Sequence, residues 1–296
     1  MYTRLLVPLD GSETAEKVLP YARALARSLK IPVELLAVID IGLYASGERA
    51  RYRDTLLDAA IRRNQVYLQR VAKTFQGAGA EWTVEGGAPE EAVITKAAEN
   101  KGTLITMATH GRSGLKRWLL GSIAEKVLRG TGDPVLLVRA NEEAKTEGEA
   151  TPNRIIVPLD GSELAEGVLP TVIELAKALK LKVVLLQAGN VKAIVSGYEN
   201  YLGDLNEIEA VLKKEASSYL DSRVEQLKRE GLADVLPIVS EGEAAETIIE
   251  LAKGTPNSFI AMGSHGRSGA RRWAFGSVTE KVVRHADNPV LVIRAK

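Results

Sequence analysis

A repeated segment constrains the fold of this chain more than any other feature of its sequence. The run Arg4-Leu-Leu-Val-Pro-Leu-Asp-Gly-Ser-Glu13 returns as Arg154-Ile-Ile-Val-Pro-Leu-Asp-Gly-Ser-Glu163. A later glycine-rich stretch also occurs twice, from Met107 to Arg139 and from Met262 to Arg294. Each copy is far too long for a solenoid unit and has about the size of a domain. The sequence therefore predicts two similar domains that arose by duplication.

The two copies are separated by a polar stretch that lacks apolar periodicity, at positions 141–152. Such a composition is typical of a linker. We therefore predict domain one at residues 1–140, the linker at 141–152 and domain two at 153–296.

Apolar runs alternate with amphipathic segments five times in each copy. In the first copy the predicted strands are 5–9, 33–39, 81–85, 103–109 and 134–139, and the predicted helices are 13–29, 54–75, 89–100 and 122–129. The apolar runs are continuous, as expected of parallel strands that are covered on both faces. The pattern predicts an α/β fold with two tandem three-layer α/β/α sandwich domains, each with a five-stranded parallel sheet.

Composition argues against several functional classes. The chain has no cysteine, which excludes disulfides, iron–sulfur clusters and thiol nucleophiles. Lys plus Arg number 39 against 38 for Asp plus Glu, so bulk charge argues against a dedicated nucleic-acid binder. No apolar run approaches the roughly 20 residues that span a bilayer. Because the N-terminus also lacks a signal-peptide pattern, we predict a cytoplasmic protein that does not bind membranes.

A glycine-rich loop follows the fourth predicted strand of each copy and leads into a helix. In the second copy the pattern is complete, with Gly263, Gly266, Gly276 and Ser277. In the first copy the same positions are Ala108, Gly111, Gly121 and Ser122. Such a loop can bring backbone N–H groups to phosphate oxygens, although tight turns and helix caps would also explain it. The serines are predicted to cap the next helix, to offer a hydroxyl to phosphate, or both.

Two common nucleotide-binding motifs are absent from these loops. Neither contains the Gly-Lys-Ser/Thr of a Walker loop, and neither is a Gly-x-Gly-x-x-Gly turn after the first strand. A Walker-type NTPase and a classical dehydrogenase are therefore disfavoured.

The Asp-Gly-Ser turn and the glycine loop, found twice in the same order, resemble the universal stress protein family. Nucleotide-binding members of that family carry Gly-x2-Gly-x9-Gly-Ser/Thr after strand four and an aspartate in a Val-Pro-x-Asp-Gly-Ser turn after strand one. The resemblance covers both copies nearly end to end. It implies a Rossmann-like fold similar to that of adenine nucleotide alpha hydrolases. It also implies that one or both domains bind ATP, or AMP or ADP, and that the protein acts as a stress-response or signalling module.

Carried over to this chain, the resemblance places the aspartate near adenine and ribose, an apolar wall at the end of strand two, and the glycine loop around the phosphates. In copy one these positions are Pro8, Asp10, Val38, Ala108, Gly111, Gly121, Ser122 and Ile123. In copy two they are Pro158, Asp160, Ala188, Gly263, Gly266, Gly276, Ser277 and Val278. Met107 and Met262 are predicted to pack on the base. Arg112 and Arg267 are predicted to neutralise the phosphates.

The two copies depart from the family pattern at different ends of the predicted site. Ala108 adds a Cβ where the backbone should approach phosphate, and it would be strained if its φ were positive. Ala188 is a thinner wall for the base than Val38. We therefore expect domain two to bind phosphate better and domain one to hold the base better.

No nucleophile–base pair or carboxylate dyad recurs in both copies, so any ATP turnover is expected to be slow. One aspartate per copy is a poor metal cage, so we predict no metal site, and Mg²⁺ would be held mostly by the nucleotide and water. A slow ATPase or autophosphorylating protein, and a scaffold of the same fold that binds no nucleotide, remain open alternatives.

The resemblance also implies a mode of assembly. Members of the universal stress protein family dimerise through their last strand. The matching strands in this chain are Val135–Arg139 and Val290–Ile293. The two copies are therefore predicted to form an intramolecular pseudo-dimer, and a further homodimer is left open.

Overall fold

The computed structural model describes residues 2–44, 52–109, 120–139, 146–189, 205–266 and 276–294. The chain divides into two compact units, Met1–Thr151 and Pro152–Lys296, and this division falls inside the predicted linker. Each unit contains a parallel sheet of five strands with helices between them. The predicted α/β class with two tandem domains is therefore confirmed.

Domain one contains five strands and five α-helices in its described residues. These are β1 (Arg4–Pro8), α1 (Glu13–Glu16), α2 (Leu19–Leu29), β2 (Val33–Ile39), α3 (Arg53–Ala72), β3 (Ala80–Gly86), α4 (Pro89–Ala98), β4 (Thr103–Ala108), α5 (Ser122–Gly130) and β5 (Val135–Val138). A 3₁₀ turn, Ile41–Tyr44, follows β2. The strand order is β3-β2-β1-β4-β5, and every neighbouring pair is parallel.

Domain two repeats this order of elements. They are β6 (Arg154–Pro158), α6 (Glu163–Glu166), α7 (Leu169–Leu179), β7 (Lys182–Gly189), α8 (Leu205–Arg229), β8 (Val235–Glu241), α9 (Ala244–Lys253), β9 (Ser258–Gly263), α10 (Ser277–His285) and β10 (Val290–Ile293). Its strand order is β8-β7-β6-β9-β10, again with parallel pairs throughout. The winding direction reverses at β1 in one domain and at β6 in the other, and such a reversal opens a crevice at the carboxyl edge of a sheet.

The first strand of each domain is buried on both of its faces. Three consecutive residues of β1, Leu5, Leu6 and Val7, have no exposed surface, and the same holds for three consecutive residues of β6. Successive side chains of a strand point to opposite faces of the sheet. Both faces of each sheet are therefore covered, as in a three-layer sandwich.

The prediction of one continuous helix over residues 13–29 was wrong. The segment forms two helices, α1 and α2, which are interrupted at Lys17 and Val18. Pro20 lies in the first turn of α2. A proline lacks the N–H that would bond to the carbonyl four residues earlier, here Glu16, and its ring clashes with that carbonyl. Pro170 interrupts the same segment of domain two, so α1 and α6 are helices of only four residues.

The described end of the predicted linker packs on domain one. The guanidinium of Arg23 donates a hydrogen bond of 2.6 Å to the carbonyl of Gly148 and one of 3.0 Å to the hydroxyl of Thr74. The backbone N–H of Ala150 donates to the carbonyl of Pro20 at 3.0 Å. Residues 141–145 of the predicted linker lie outside the described residues.

A charge network closes the amino edge of the domain-one sheet. Arg4 is 8% exposed, pairs with Glu34 and donates to the hydroxyl of Thr103 at 3.0 Å. Lys96 lies 3.4 Å from Glu34 and 3.2 Å from Glu99. Burial lowers the pKa of Lys96, but the carboxylates of Glu99 and Glu34 outweigh it and the pKa is raised. Arg4, Glu34 and Thr103 lie in the first two positions of their strands, at the opposite end from the Asp-Gly-Ser turn. Lys96 also reaches Glu85, near the carboxyl end of β3, at 3.4 Å.

Domain two replaces the centre of this network with an apolar residue. Glu34 pairs in register with Leu6, and Val184 occupies the matching place beside Ile156. Val184 is buried. The two domains therefore stabilise the same position of their sheets by different interactions.

We predict that Glu34→Ala destabilises domain one strongly. The nearly buried Arg4 would lose its carboxylate partner, and breaking a buried ion pair in this way costs about 3 kcal/mol or more. The free energy of unfolding can be measured by urea titration with circular dichroism. The control is Lys182→Ala, which removes a pair with Asp234 whose side chains are both 57% exposed, and which should cost less than about 1 kcal/mol. Equal losses in the two variants would contradict this view of the network.

Candidate functional site

The turn after β1 holds an aspartate at the carboxyl edge of the sheet. Oδ1 of Asp10 accepts hydrogen bonds from the backbone N–H of Ser12 at 2.9 Å and from its hydroxyl at 2.6 Å. Gly11 has a φ of 79°, a left-handed conformation that glycine adopts without strain. The hydroxyl of Ser12 in turn accepts from the N–H of Ala15 at 3.1 Å and caps α1. The turn thus fixes the aspartate and starts the next helix.

Domain two has the same turn with nearly the same distances. Oδ1 of Asp160 accepts from the N–H and the hydroxyl of Ser162 at 3.0 and 2.6 Å, and Gly161 has a φ of 83°. Ser162 caps α6 through the N–H of Ala165. The repeat therefore extends from sequence to hydrogen-bond geometry.

The glycine loop of domain two closes directly on this aspartate. A Cβ placed on Gly266 would lie closer to Oδ2 of Asp160 than real Cβ contacts do. The φ of Gly266 is outside the left-handed region, so the position needs glycine for space and not for its backbone conformation. The structure thus brings together Asp160 and Gly266, two predicted site residues that are distant in sequence. The matching Gly111 of domain one lies outside the described residues, as do Arg112 and Arg267.

The first position of the loop does not have the backbone strain considered for Ala108. Neither Ala108 nor its counterpart Gly263 has a positive φ. A Cβ on Gly263 would lie 3.0 Å from the carbonyl oxygen of His265 and 3.2 Å from that of Leu164. The substituent at this position is therefore directed at the protein's own backbone, including α6. The backbone strain considered for Ala108 is therefore absent, and the weaker phosphate site of domain one stays a prediction.

Two helices, α5 and α10, begin at the end of the glycine loops. Their N-cap residues are Gly121 and Gly276, and among the described residues no side chain caps either helix. The N–H of Gly121 donates to the carbonyl of Thr109 at 2.8 Å, and that of Gly276 to Ser264 at 2.9 Å, which closes each loop. A helix start of this kind attracts anions, because N–H groups and the helix dipole point the same way.

The prediction that Ser122 and Ser277 cap these helices was wrong. Each serine is the first helical residue, and the cap position before it is held by glycine. In domain two a different hydroxyl ties the helix to the loop, because Oγ1 of Thr279 donates to the carbonyl of Gly263 at 2.8 Å. Domain one has Ala124 at the matching place.

The other predicted site residues lie at the same edge of their own sheets. Pro8 and Pro158 end β1 and β6, and Val38 and Ala188 are next to last in β2 and β7. Met107 and Met262 are buried and are next to last in β4 and β9. Ile123 and Val278 are the second residues of α5 and α10. The described residues therefore place the predicted set at one edge of each sheet, although only Asp160, Gly266 and Gly276 are shown in close approach.

A cluster that the sequence did not predict lies behind the aspartate turn of domain two. The carboxylate of Glu166, on α6, accepts from the hydroxyl of Tyr219 at 2.8 Å and from Nη1 of Arg223 at 3.0 Å. The guanidinium of Arg223 also lies 5.7 Å from the centre of the Tyr219 ring. Burial, and then the hydrogen bond to Glu166, raise the pKa of Tyr219, with a smaller contribution from Asp160. The tyrosine is therefore a neutral donor near the site.

Domain one contains the same three residue types behind its aspartate turn, but the buried hydroxyl of Tyr67 has no hydrogen-bond partner among the described residues. Nη2 of Arg70 lies 3.2 Å from Oε1 of Glu16, and its guanidinium lies 5.6 Å from the centre of the Tyr67 ring. Burial, and then Glu16, raise the pKa of Tyr67, again with a contribution from Asp10. The sequence contains little that would predict this cluster, because it shows only the spacing of the tyrosine and the arginine on one helix face.

Within the described ranges, no three His, Asp or Glu side chains are placed so that they could hold a metal ion. The helices of these ranges also include none that is long and apolar enough to cross a membrane.

Comparison with known proteins identifies similar sequences and one fold. A model of the universal stress protein family matches residues 1–139 and 152–294. Universal stress protein MJ0531 of Methanocaldococcus jannaschii is 30% identical over 145 residues, which cover 47% of this chain and 83% of the relative. A universal stress protein of Mycolicibacterium smegmatis is 24% identical over 99% of this chain and 97% of its own length. The crystal structure of a universal stress protein from Archaeoglobus fulgidus has a TM-score of 0.71 at 22% identity, over 99% of this chain and 98% of that one.

We predict that Gly266→Ala displaces the carboxylate of Asp160. The new methyl group would occupy the space of Oδ2, so the aspartate should lose its bonds to Ser162. A crystal structure of the variant would show this directly. The control is Gly276→Ala, where the nearest atom to the new Cβ would be at 3.5 Å, an ordinary contact, and φ is −59°. An unchanged Asp160 in the first variant would contradict the packing described for the loop.

Proposed function

We propose, because the chain belongs to the universal stress protein family, that one or both of its domains bind ATP or a related adenine nucleotide at the carboxyl edge of the sheet. In this proposal nucleotide occupancy makes the protein a stress-response or signalling module. One observation carries it: in domain two the aspartate turn and the glycine loop meet at Gly266, beside a helix start whose N-cap residue is the glycine Gly276. A ligand seated there would meet a carboxylate and an anion-binding helix end together.

The phosphates fit the helix starts at α5 and α10. The N–H groups of the first turn and the helix dipole favour negative charge, and glycine at the cap leaves no side chain in the way. The hydroxyls of Ser122 and Ser277 lie at the first helical position and are proposed as further donors. Arg112 and Arg267 would neutralise the phosphates at the same end of the site, and this role stays a prediction.

The base and the ribose are proposed to bind at the neighbouring part of the carboxyl edge of the sheet, beside the aspartate turn. A ribose hydroxyl can donate to a carboxylate, and Asp160 lies between the first strand and the glycine loop. The ends of β2 and β7, at Val38 and Ala188, are proposed as the apolar wall for adenine. Met107 and Met262 are proposed to support the base from the neighbouring strands.

The first test is whether purified protein carries a nucleotide. Mass spectrometry of the denatured protein is expected to show an adenine nucleotide. If none is found, calorimetric titration with ATP in the presence of Mg²⁺ is expected to show two binding equivalents per chain. A chain that neither carries an adenine nucleotide nor binds added ATP would favour the scaffold of the same fold.

We predict that Gly276→Asp removes one of the two equivalents. An aspartate at the N-cap position would bond to the N–H groups of the first turn and place a negative charge where phosphate should bind. Such a cap also stabilises a helix, so the melting temperature should not fall. Gly121→Asp should remove the other equivalent by the same mechanism.

The matched control is Gly276→Ala, which changes the cap without adding charge. It should keep both equivalents, because the new Cβ meets only ordinary contacts. Calorimetry that still counts two sites in the Gly276→Asp chain would contradict this placement of the phosphates.

We also propose that the two domains pair through the last strand of each, as an intramolecular pseudo-dimer. An edge strand left open tends to pair with another edge. Domain two alone, residues 152–296, is therefore expected to dimerise in analytical ultracentrifugation. A monomeric isolated domain would contradict the proposal. A homodimer of the whole chain and a cytoplasmic location stay predictions.

A further inference from the structure

The short helix after each aspartate turn is held at its far end by a longer helix. In domain two Glu166, the last residue of α6, accepts bonds from Tyr219 and Arg223 of α8. In domain one Glu16 ends α1 and pairs with Arg70 of α3, next to Tyr67. The sites proposed for the ligand do not include any of these residues.

A continuous series of hydrogen bonds joins this cluster to the aspartate. In domain two Asp160 accepts from Ser162, and the carbonyl of Ser162 accepts from the backbone N–H of Glu166 at 3.1 Å. The carboxylate of Glu166 then accepts from the tyrosine and the arginine at 2.8 and 3.0 Å. Domain one has the backbone part of this series, with 3.2 Å between the N–H of Glu16 and the carbonyl of Ser12, and it ends on Arg70 alone, because the hydroxyl of Tyr67 has no hydrogen-bond partner among the described residues.

A helix of four residues cannot fix this geometry by itself. Helices shorter than about 12 residues are marginal in water, because nucleation fixes several dihedral angles for a single hydrogen bond. The prolines that begin α2 and α7 also prevent α1 and α6 from continuing into a longer helix. The position of the turn therefore depends on tertiary contacts, and the bonds to Glu16 and Glu166 are among them, together with the burial of Ala15 and Ala165.

We infer that Glu166, Tyr219 and Arg223 in domain two, and Glu16 and Arg70 in domain one, are positioning residues that set the place of the site aspartate. The inference rests on the proposed function, since the aspartate matters only if a nucleotide binds there. The residues act through Asp160 and Asp10 and do not touch the ligand.

The two domains differ in how firmly the cluster is held. The side chain of Arg223 is 28% exposed, whereas that of Arg70 is 71% exposed. An exposed pair contributes less because water screens it. Removal of the arginine should therefore weaken nucleotide binding more in domain two than in domain one.

The test is a double-mutant cycle in the full chain that carries Gly121→Asp, so that only the site of domain two is measured. Tyr219→Phe removes one hydroxyl, and we expect the Kd for ATP to rise about tenfold, as for a lost hydrogen bond to a charged group. In a chain that also carries Asp160→Asn, Tyr219→Phe should change the Kd less than about twofold, because the tyrosine acts through the aspartate. If the changes in Kd caused by Tyr219→Phe and by Asp160→Asn simply multiply in the double variant, the inference is overturned.

A second test uses the ligand-free protein and does not depend on the affinity for ATP. The amide resonances of Ser162 and Gly266, which flank Asp160, should shift in the ¹⁵N NMR spectrum of Tyr219→Phe. Ser218→Ala is the control, since it removes an exposed hydroxyl from the preceding residue of the same helix and should leave both resonances and the Kd unchanged. Unshifted resonances in Tyr219→Phe would overturn the inference.

The outcomes separate the inference from the proposed function. If the chain with Gly121→Asp alone does not bind ATP, the proposed function fails in domain two. If it binds ATP and Tyr219→Phe binds it equally well, the function stands and the positioning role is wrong. Glu166→Gln, which keeps an acceptor for Tyr219, should bind more tightly than Glu166→Ala. Equal affinities of these two variants would also contradict the inference.

Discussion

The reversal of winding at the first strand of each domain is the constraint on which the site depends. Strand β1 pairs with β2 on one side and with β4 on the other, and β6 pairs in the same way with β7 and β9. The chain therefore leaves the two middle strands toward opposite faces and opens a crevice between their carboxyl ends. The aspartate turn follows one of these two strands and the glycine loop follows the other. Residues that are remote in sequence therefore meet at this crevice.

The sequence was a good guide where a local rule determines the structure. Continuous apolar runs and turn residues predicted the strands, and parallel strands place Asp160 and Gly266 at one edge whatever the details of packing. The single helix over 13–29 was an error because the apolar spacing continues through Pro20, while the missing N–H of that proline interrupts the backbone bonds. The role of Ala108 depended on a φ angle and on the direction of one Cβ, which no sequence pattern contains.

The tyrosine–glutamate contacts were beyond prediction for a different reason. Tyr219 and Glu166 are 53 positions apart, and their contact exists only because α8 docks over the short helix α6. A lone tyrosine on an amphipathic helix has no visible partner in the sequence. Only the structure shows that both domains place the same three residue types behind the same turn, which makes a chance arrangement a poor explanation.

The charge network of domain one has a consequence for how the duplicated halves respond to heat. The cost of removing charged groups from water falls as temperature rises, whereas the stabilisation from buried apolar surface levels off. A sheet edge closed by Arg4, Glu34 and Lys96 and one closed by Val184 will therefore change in relative strength across a temperature range. We therefore expect the two halves of this duplicated chain to differ in how their stability changes with temperature.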